Sequence, residues 1–227
     1  MCPPEAFTST AGASTLEPDS FVPQTEISKV AFKFATFLLH PAILNHSIRV
    51  YLYARDIAAA KGSRYHDEPD KQDLLFIACI FHDMGTTDAF NGASRFEVEG
   101  ADAAVKHLAM FKFSVWDKRD VWNAIALHTC NGIVQRMGDL AAILRLAIEI
   151  DFGRTDSVDG IDDLAALKAT FEEKFERKDI EIVLADAVVA QAVKNPAKAP
   201  SNSWPGGLYR AYLQDPEWKG VNKAFGA

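Results

Sequence analysis

Residues 74–88 read Leu-Leu-Phe-Ile-Ala-Cys-Ile-Phe-His-Asp-Met-Gly-Thr-Thr-Asp, an apolar run that stops on a histidine and a carboxylate. With Asp70 as N-cap and Gly85-Thr86-Thr87 as the stop, the spacing predicts a helix over Lys71–Met84. Phe76, Ile77, Ile80 and Phe81 bury most of it, and the run from Leu74 to Phe81 is too short to span a bilayer. A helix end pressed against a core is a poor place for Asp83 unless a positive group meets it. Imidazole beside carboxylate suits a divalent metal better than a lysine.

Outward from this stretch the pattern stays helical. Thr25–Leu39 places Ile27, Val30, Ala31, Phe34, Phe37 and Leu38 at three-to-four spacing. A second helix follows the His40-Pro41 break and runs to about Lys61, with Gly62 as its cap. Ser63–Pro69 reads as a polar loop. Downstream, helices are predicted from about Arg95 to Phe111, and from a capping box at Ser114 and Asp117 to near His128. Three more cover Leu140–Phe152, Asp162–Lys178 and Asp179–Val193. The tail from Ser201, with Trp204 and Trp218, reads as a loop with one short helix. No strand alternation or internal repeat is present. Residues 1–24, rich in Pro, Ser, Thr and Ala, form a flexible or surface-draped arm, and residues 25–227 one all-α domain.

Composition sets the function classes. The 227 residues are 48% hydrophobic and 24% charged, enough for a core without disulfides. Lys and Arg number 24 against 31 Asp and Glu, a net charge of −7. That balance disfavours a nucleic-acid backbone binder and leaves small neutral substrates open. Cys2, Cys79 and Cys130 form no disulfide framework and no Cys-x-x-Cys knuckle. Without a basic, then apolar, leader, the chain reads as soluble and cytoplasmic, with no membrane partner.

Two further residues could join His82 and Asp83. His46 shares a helix face with Val50, Tyr53 and Ile57, where a histidine is either a hydrogen-bonded core residue or a ligand. Asp151 ends a helix of Ala, Ile and Leu, where a carboxylate needs a partner; Arg145 and Arg154 are the alternatives to a metal.

The order His46, His82-Asp83, Asp151 resembles the H…HD…D signature of the HD-domain metalloproteins. In these all-helical bundles, residues from separate helices converge on one or two divalent ions. Leu44-Asn-His-Ser-Ile-Arg-Val-Tyr51, Phe81-His-Asp-Met-Gly-Thr-Thr-Asp88 and Arg95-Phe-Glu-Val-Glu-Gly-Ala101 are similar to the cyanamide hydratase branch. Ala126-Leu-His-Thr129 falls where that branch has a histidine near the metal. The resemblance implies metal ligation by His46, His82, Asp83 and Asp151, and zinc-dependent hydration of cyanamide to urea. The ligand set also tolerates iron, manganese or nickel.

Two imidazoles and two carboxylates leave an ion with an open position for water, whose pKa falls toward neutrality on zinc. Hydroxide would then attack the nitrile carbon. His128 is the candidate for positioning substrate or moving a proton. Asp83 could be both ligand and base, and Asn45 and Thr87 could orient the ligands. The competing reading is a phosphohydrolase. Against it, Thr86 stands where small single-metal HD nucleotidases usually carry a glutamate, and Arg49 and Arg95 are the only obvious cations nearby. A third reading, a helical interaction module stabilised by its metal, involves no turnover.

Cys130 lies two residues from His128, a spacing that directs helical side chains apart, and Glu149 should likewise point away from Asp151. Phe90, Phe96 and Trp204 could line a small pocket. Trp116 and Trp122 are expected in the core or in a homo-oligomer contact.

Overall fold

The computed structural model describes residues 21–216. Most of the predicted arm, Cys2 and Trp218 lie outside them. Among the described residues ten α-helices follow one another and no β-strand occurs. They are α1 (Glu26–Leu38), α2 (Pro41–Ala60), α3 (Arg64–Asp67), α4 (Pro69–Phe81), α5 (Phe96–Ala109), α6 (Val115–Ala126), α7 (Asp139–Asp151), α8 (Leu164–Lys174), α9 (Ile180–Lys194) and α10 (Trp204–Gln214). None is long and apolar enough to cross a membrane.

The bundle is built around α2 and α4. Every residue from Asp73 to Phe81 is buried, as is every residue from Ala42 to Ala54. A helix apolar on all sides belongs inside a helical assembly, and α4 packs between α1, α2, α5 and α6. One buried carboxylate is settled by local chemistry: Asp73 Oδ1 accepts from Thr25 Oγ1 (2.5 Å) and Ser28 Oγ (2.6 Å), which ties α1 to α4. Packing begins at Phe21 and Val22, both buried, with the Phe21 ring edge-on to Phe32 and Phe175.

Several boundaries differ from those predicted. Helix α4 starts at Pro69 with Glu68 as N-cap, so Asp70 lies in the first turn. The physical reason is Pro69, whose fixed φ favours the first helical position and holds Glu68 extended. At the other end α4 stops at Phe81. His82 keeps helical dihedrals, and Asp83 departs to φ −104°, ψ 7°, opening a 3-10 turn over Met84–Thr86. The polar loop at 63–69 contains α3, capped by Ser63 and anchored by the buried Tyr65 ring. The capping box at Ser114 and Asp117 is present, and α6 ends two residues before His128. Helices α8 and α9 are separated by Phe175–Asp179, where Lys178 and Asp179 take φ of 52° and 53°.

Helix α5 lies directly on the turn that follows α4. A Cβ at Gly85 would fall 2.0 Å from the Phe96 carbonyl oxygen, and one at Gly100 would fall 2.8 Å from that of Phe81. Two glycines thus let backbones meet where a side chain would hold them apart.

Candidate metal centre

Four helices deliver the site. His46 lies inside α2, His82 and Asp83 stand at the end of α4, His128 follows α6, and Asp151 is the last residue of α7. All five are buried. His46 Nε2 is 3.1 Å from His82 Nε2 and 3.6 Å from Asp83 Oδ2. His82 Nε2 is 3.1 Å from the same oxygen, and His128 Nε2 is 3.7 Å from Asp83 Oδ1.

Each ring is fixed from behind. His82 Nδ1 lies 2.7 Å from the Cys79 carbonyl oxygen, and His128 Nδ1 lies 2.6 Å from that of Ile125. A carbonyl only accepts, so both Nδ1 atoms carry the proton and both Nε2 atoms present lone pairs. His46 Nδ1 donates in the same way to Asp151 Oδ2 at 2.7 Å. Three imidazoles therefore turn electron pairs toward one carboxylate, and neither Asp83 oxygen has a hydrogen-bond partner among the described residues. The 3.1 Å approach of Asp83 to His82 is a contact of two acceptors unless a cation or a proton joins them. An unsatisfied buried charge costs about 1–3 kcal/mol or more, so the cluster calls for a cation.

Acid–base behaviour follows the same geometry. Burial opposes charge on His82, yet the adjacent Asp83 outweighs it and raises the ring's pKa. Burial pushes Asp83 up, and the His82, His46 and His128 rings outweigh that and hold its pKa at about 2. His46 is lowered by burial. His128 is lowered by burial and then by His82, to about 3, so it is neutral at ordinary pH.

The ligating atoms of His46, His82 and Asp83 lie within 4.8 Å of one another, the spread a single ion can span. Asp151, expected beside them, stands behind His46. Its oxygens accept from Arg49 Nε (2.7 Å) and Arg49 Nη2 (2.9 Å) as well as from His46, so protein donors engage three of its roughly four lone-pair sites. Its cationic partner is therefore Arg49, with Arg177 at 3.8 Å, in place of Arg145 or Arg154. Arg145 instead pairs with Glu149 and donates to the His128 carbonyl at 3.1 Å.

Asn45 and Thr87 spend their donors on backbone carbonyls. Asn45 Nδ2 reaches Glu176 (2.9 Å), and Thr87 Oγ1 closes the turn onto Met84 (2.8 Å). Phe96 packs edge-on to both His128 and Trp204, while Phe90 turns away to Phe34. Trp116 is exposed beneath Arg119, outside the core of the bundle, and Trp122 donates to Asp102. Cys130 sits in a turn, with Arg95 Nη2 3.6 Å from its sulfur.

Residues 43–190 match the HD domain family. The chain belongs to the HD domain family. The HD match includes every residue of the cluster, from His46 to Asp151. Over 156 residues the chain is 26% identical to the cyanamide hydratases DDI2 and DDI3 of Saccharomyces cerevisiae, covering 66% of this chain and 67% of each relative.

Two residues of this HD domain escaped the sequence reading as parts of the site. Arg49 is fully buried one turn after His46; besides Asp151 it donates to the Phe175 carbonyl at 2.8 Å. Its signals were the i, i+3 spacing from a candidate ligand and its place in the Leu44–Tyr51 motif. Glu97 is fully buried in the first turn of α5 and accepts from Thr129 Oγ1 at 2.7 Å.

Proposed function

We propose that this HD protein is a metal-dependent hydratase that adds water to the nitrile carbon of cyanamide, giving urea, or to a similarly small neutral nitrile. The observation that carries the metal dependence is the convergence of lone-pair nitrogens on the Asp83 carboxylate, which has no hydrogen-bond partner among the described residues. The likeness to the two yeast cyanamide hydratases supports the choice of substrate.

His46 Nε2, His82 Nε2 and Asp83 would hold the ion, and Asp151 would orient His46 through Nδ1, the carboxylate–histidine support common to metal sites. Zinc is the ion we assign, and the same donors suit iron, manganese or nickel. When bound, such an ion supplies Lewis acidity that makes water nucleophilic near neutral pH. His128, with its Nδ1 proton committed to Ile125, directs Nε2 toward Asp83, where it would accept the proton that water releases. It returns that proton to the nitrile nitrogen as oxygen bonds to carbon, and the resulting isourea tautomerises to urea. The buried Phe96 ring, packed between His128 and the half-buried Trp204, gives the cluster an apolar side that suits a compact neutral substrate.

The buried cations argue against phosphate-ester hydrolysis. Arg49 is fully buried and spends four of its five N–H donors on Asp151 and two backbone carbonyls, which leaves little for a phosphate. The test is urea formation from cyanamide by protein loaded with zinc, with and without chelator. Chelator-sensitive urea production is expected; phosphate release from nucleotides with no urea from cyanamide would replace this reading.

A further inference from the structure

Glu97 is a buried ionisable group for which the proposed chemistry has no use. Its side chain is fully buried. Oε1 accepts from Thr129, and Oε2 has no hydrogen-bond partner among the described residues. Arg95 Nε lies 3.4 Å from Oε2, within ion-pair range but without hydrogen-bond alignment, and it too lacks a hydrogen-bond partner. The other end of that guanidinium is drawn toward the Ala126 carbonyl and the Cys130 sulfur. A buried carboxylate with an open lone-pair site calls for a donor.

Its placement indicates where that donor comes from. Glu97 and Gly100 are three residues apart and share a face of α5. Gly100 rests on the carbonyls of Phe81 and His82, so this face is turned toward the His82–Asp83 turn. Glu97 is joined to the residue after His128 by the Thr129 bond, and its neighbour Phe96 packs against the His128 ring. The Asp83 charge reaches Glu97 and adds to the burial that raises its pKa. These contacts place Glu97 on the side of α5 that faces the His82–Asp83 turn and the residue after His128.

We infer that Glu97 is a specificity residue whose free carboxylate oxygen accepts a hydrogen bond from an N–H group of the substrate, so that the site selects amino-bearing small molecules over their methyl isosteres. This rests on the proposed hydratase reading for its place in a reaction, and it can be tested separately. A site built around a buried acceptor discriminates strongly against an analogue without the donor, because that analogue leaves the acceptor unpaired. Cyanamide and acetonitrile differ in this way at one end, as do urea and acetone at two.

The test compares wild type with Glu97→Gln, which keeps volume, and with Glu97→Asp, which withdraws the carboxylate by one methylene. Gln can still accept from Thr129 through its amide oxygen, but it then turns an NH2 toward the substrate. The metal-loaded proteins are titrated with urea and with acetone by ligand-observed NMR, and urea formation from cyanamide is followed in parallel. Wild type is expected to bind urea about tenfold or more tightly than acetone. Both variants should lose that preference while keeping their metal content and melting temperature. Equal binding of urea and acetone by wild type, or an unchanged preference in a folded Glu97→Gln protein, overturns the inference. Loss of preference in the variants, with no urea made by wild type, would retire the cyanamide reading and leave the role of Glu97 standing. Should Glu97→Gln fail to fold, Glu97→Asp decides by the same comparison.

Discussion

At the scale of single residues, the distinction between Asp73 and Asp83 is informative. Both are buried carboxylates in or beside α4, and Asp73 takes two hydroxyl donors while Asp83 takes none. Replacing His82 by Ala or Asp83 by Asn should therefore abolish stoichiometric metal, read by elemental analysis of the purified protein. Asp151→Asn should weaken metal affinity by about 10–100-fold, through a loosened His46; unchanged affinity would remove it from the support of that ring. His128→Gln should retain the metal and lower turnover by roughly 10²–10⁴-fold. The pH dependence has a definite sign. His82 must be neutral to bind a metal, and its pKa in the metal-free protein is raised, so protons compete at a higher pH than for an ordinary imidazole. Retention should fall as the solution is acidified through that raised pKa, by about tenfold per unit for one displaced proton. Equilibrium dialysis across pH reads it directly.

At the scale of elements, the site depends on how α5 and the segment between α8 and α9 are held. Helix α5 seats on the turn after α4 through Gly85 and Gly100. Gly85→Ala sets a methyl group against the Phe96 backbone and should cost about 1–3 kcal/mol or more, with a loss of metal because Asp83 opens that turn. Chemical denaturation and metal analysis of the same sample test both effects. The segment at 175–177 is fastened by Asn45 and Arg49 from α2, and Arg177 returns to the Asp151 carbonyl at 2.7 Å. Asn45 thus acts on the backbone behind Asp151. Its position one residue before His46 made it noticeable in the sequence, and only the folded chain shows that its partner is Glu176, 131 residues away.

At the scale of the molecule, an ion binding residues from two separate helices stabilises the native state by mass action. Occupancy at a hundred times the dissociation constant contributes about 2.7 kcal/mol, and for a chain of this size that is roughly 5–10 °C in melting temperature. Chelation should lower the melt by that amount and refilling with zinc should restore it. An unchanged melt would show that the cluster binds no ion. The helical class was legible because apolar spacing is local, and so was the His82-Asp83 pair, because a charged group ending an apolar run is conspicuous in one dimension. Helix limits were less so. Pro69 moved the start of α4, and the end at Phe81 depends on a turn onto which α5 packs. Its apolar helix end and the family resemblance put Asp151 among the expected ligands, and the tertiary structure gives it the Arg49 fork and the His46 ring as partners. Periodicity and composition by themselves determined an all-α chain with an acidic balance and buried ligand-type side chains. Which nitrogen of each ring faces inward, which carboxylate lacks a donor among the described residues, and that Glu97 is bonded to the residue after His128 were decided only by the tertiary structure. The reason is physical: those properties depend on directional contacts between residues tens of positions apart, and hydrophobic spacing carries no information about direction.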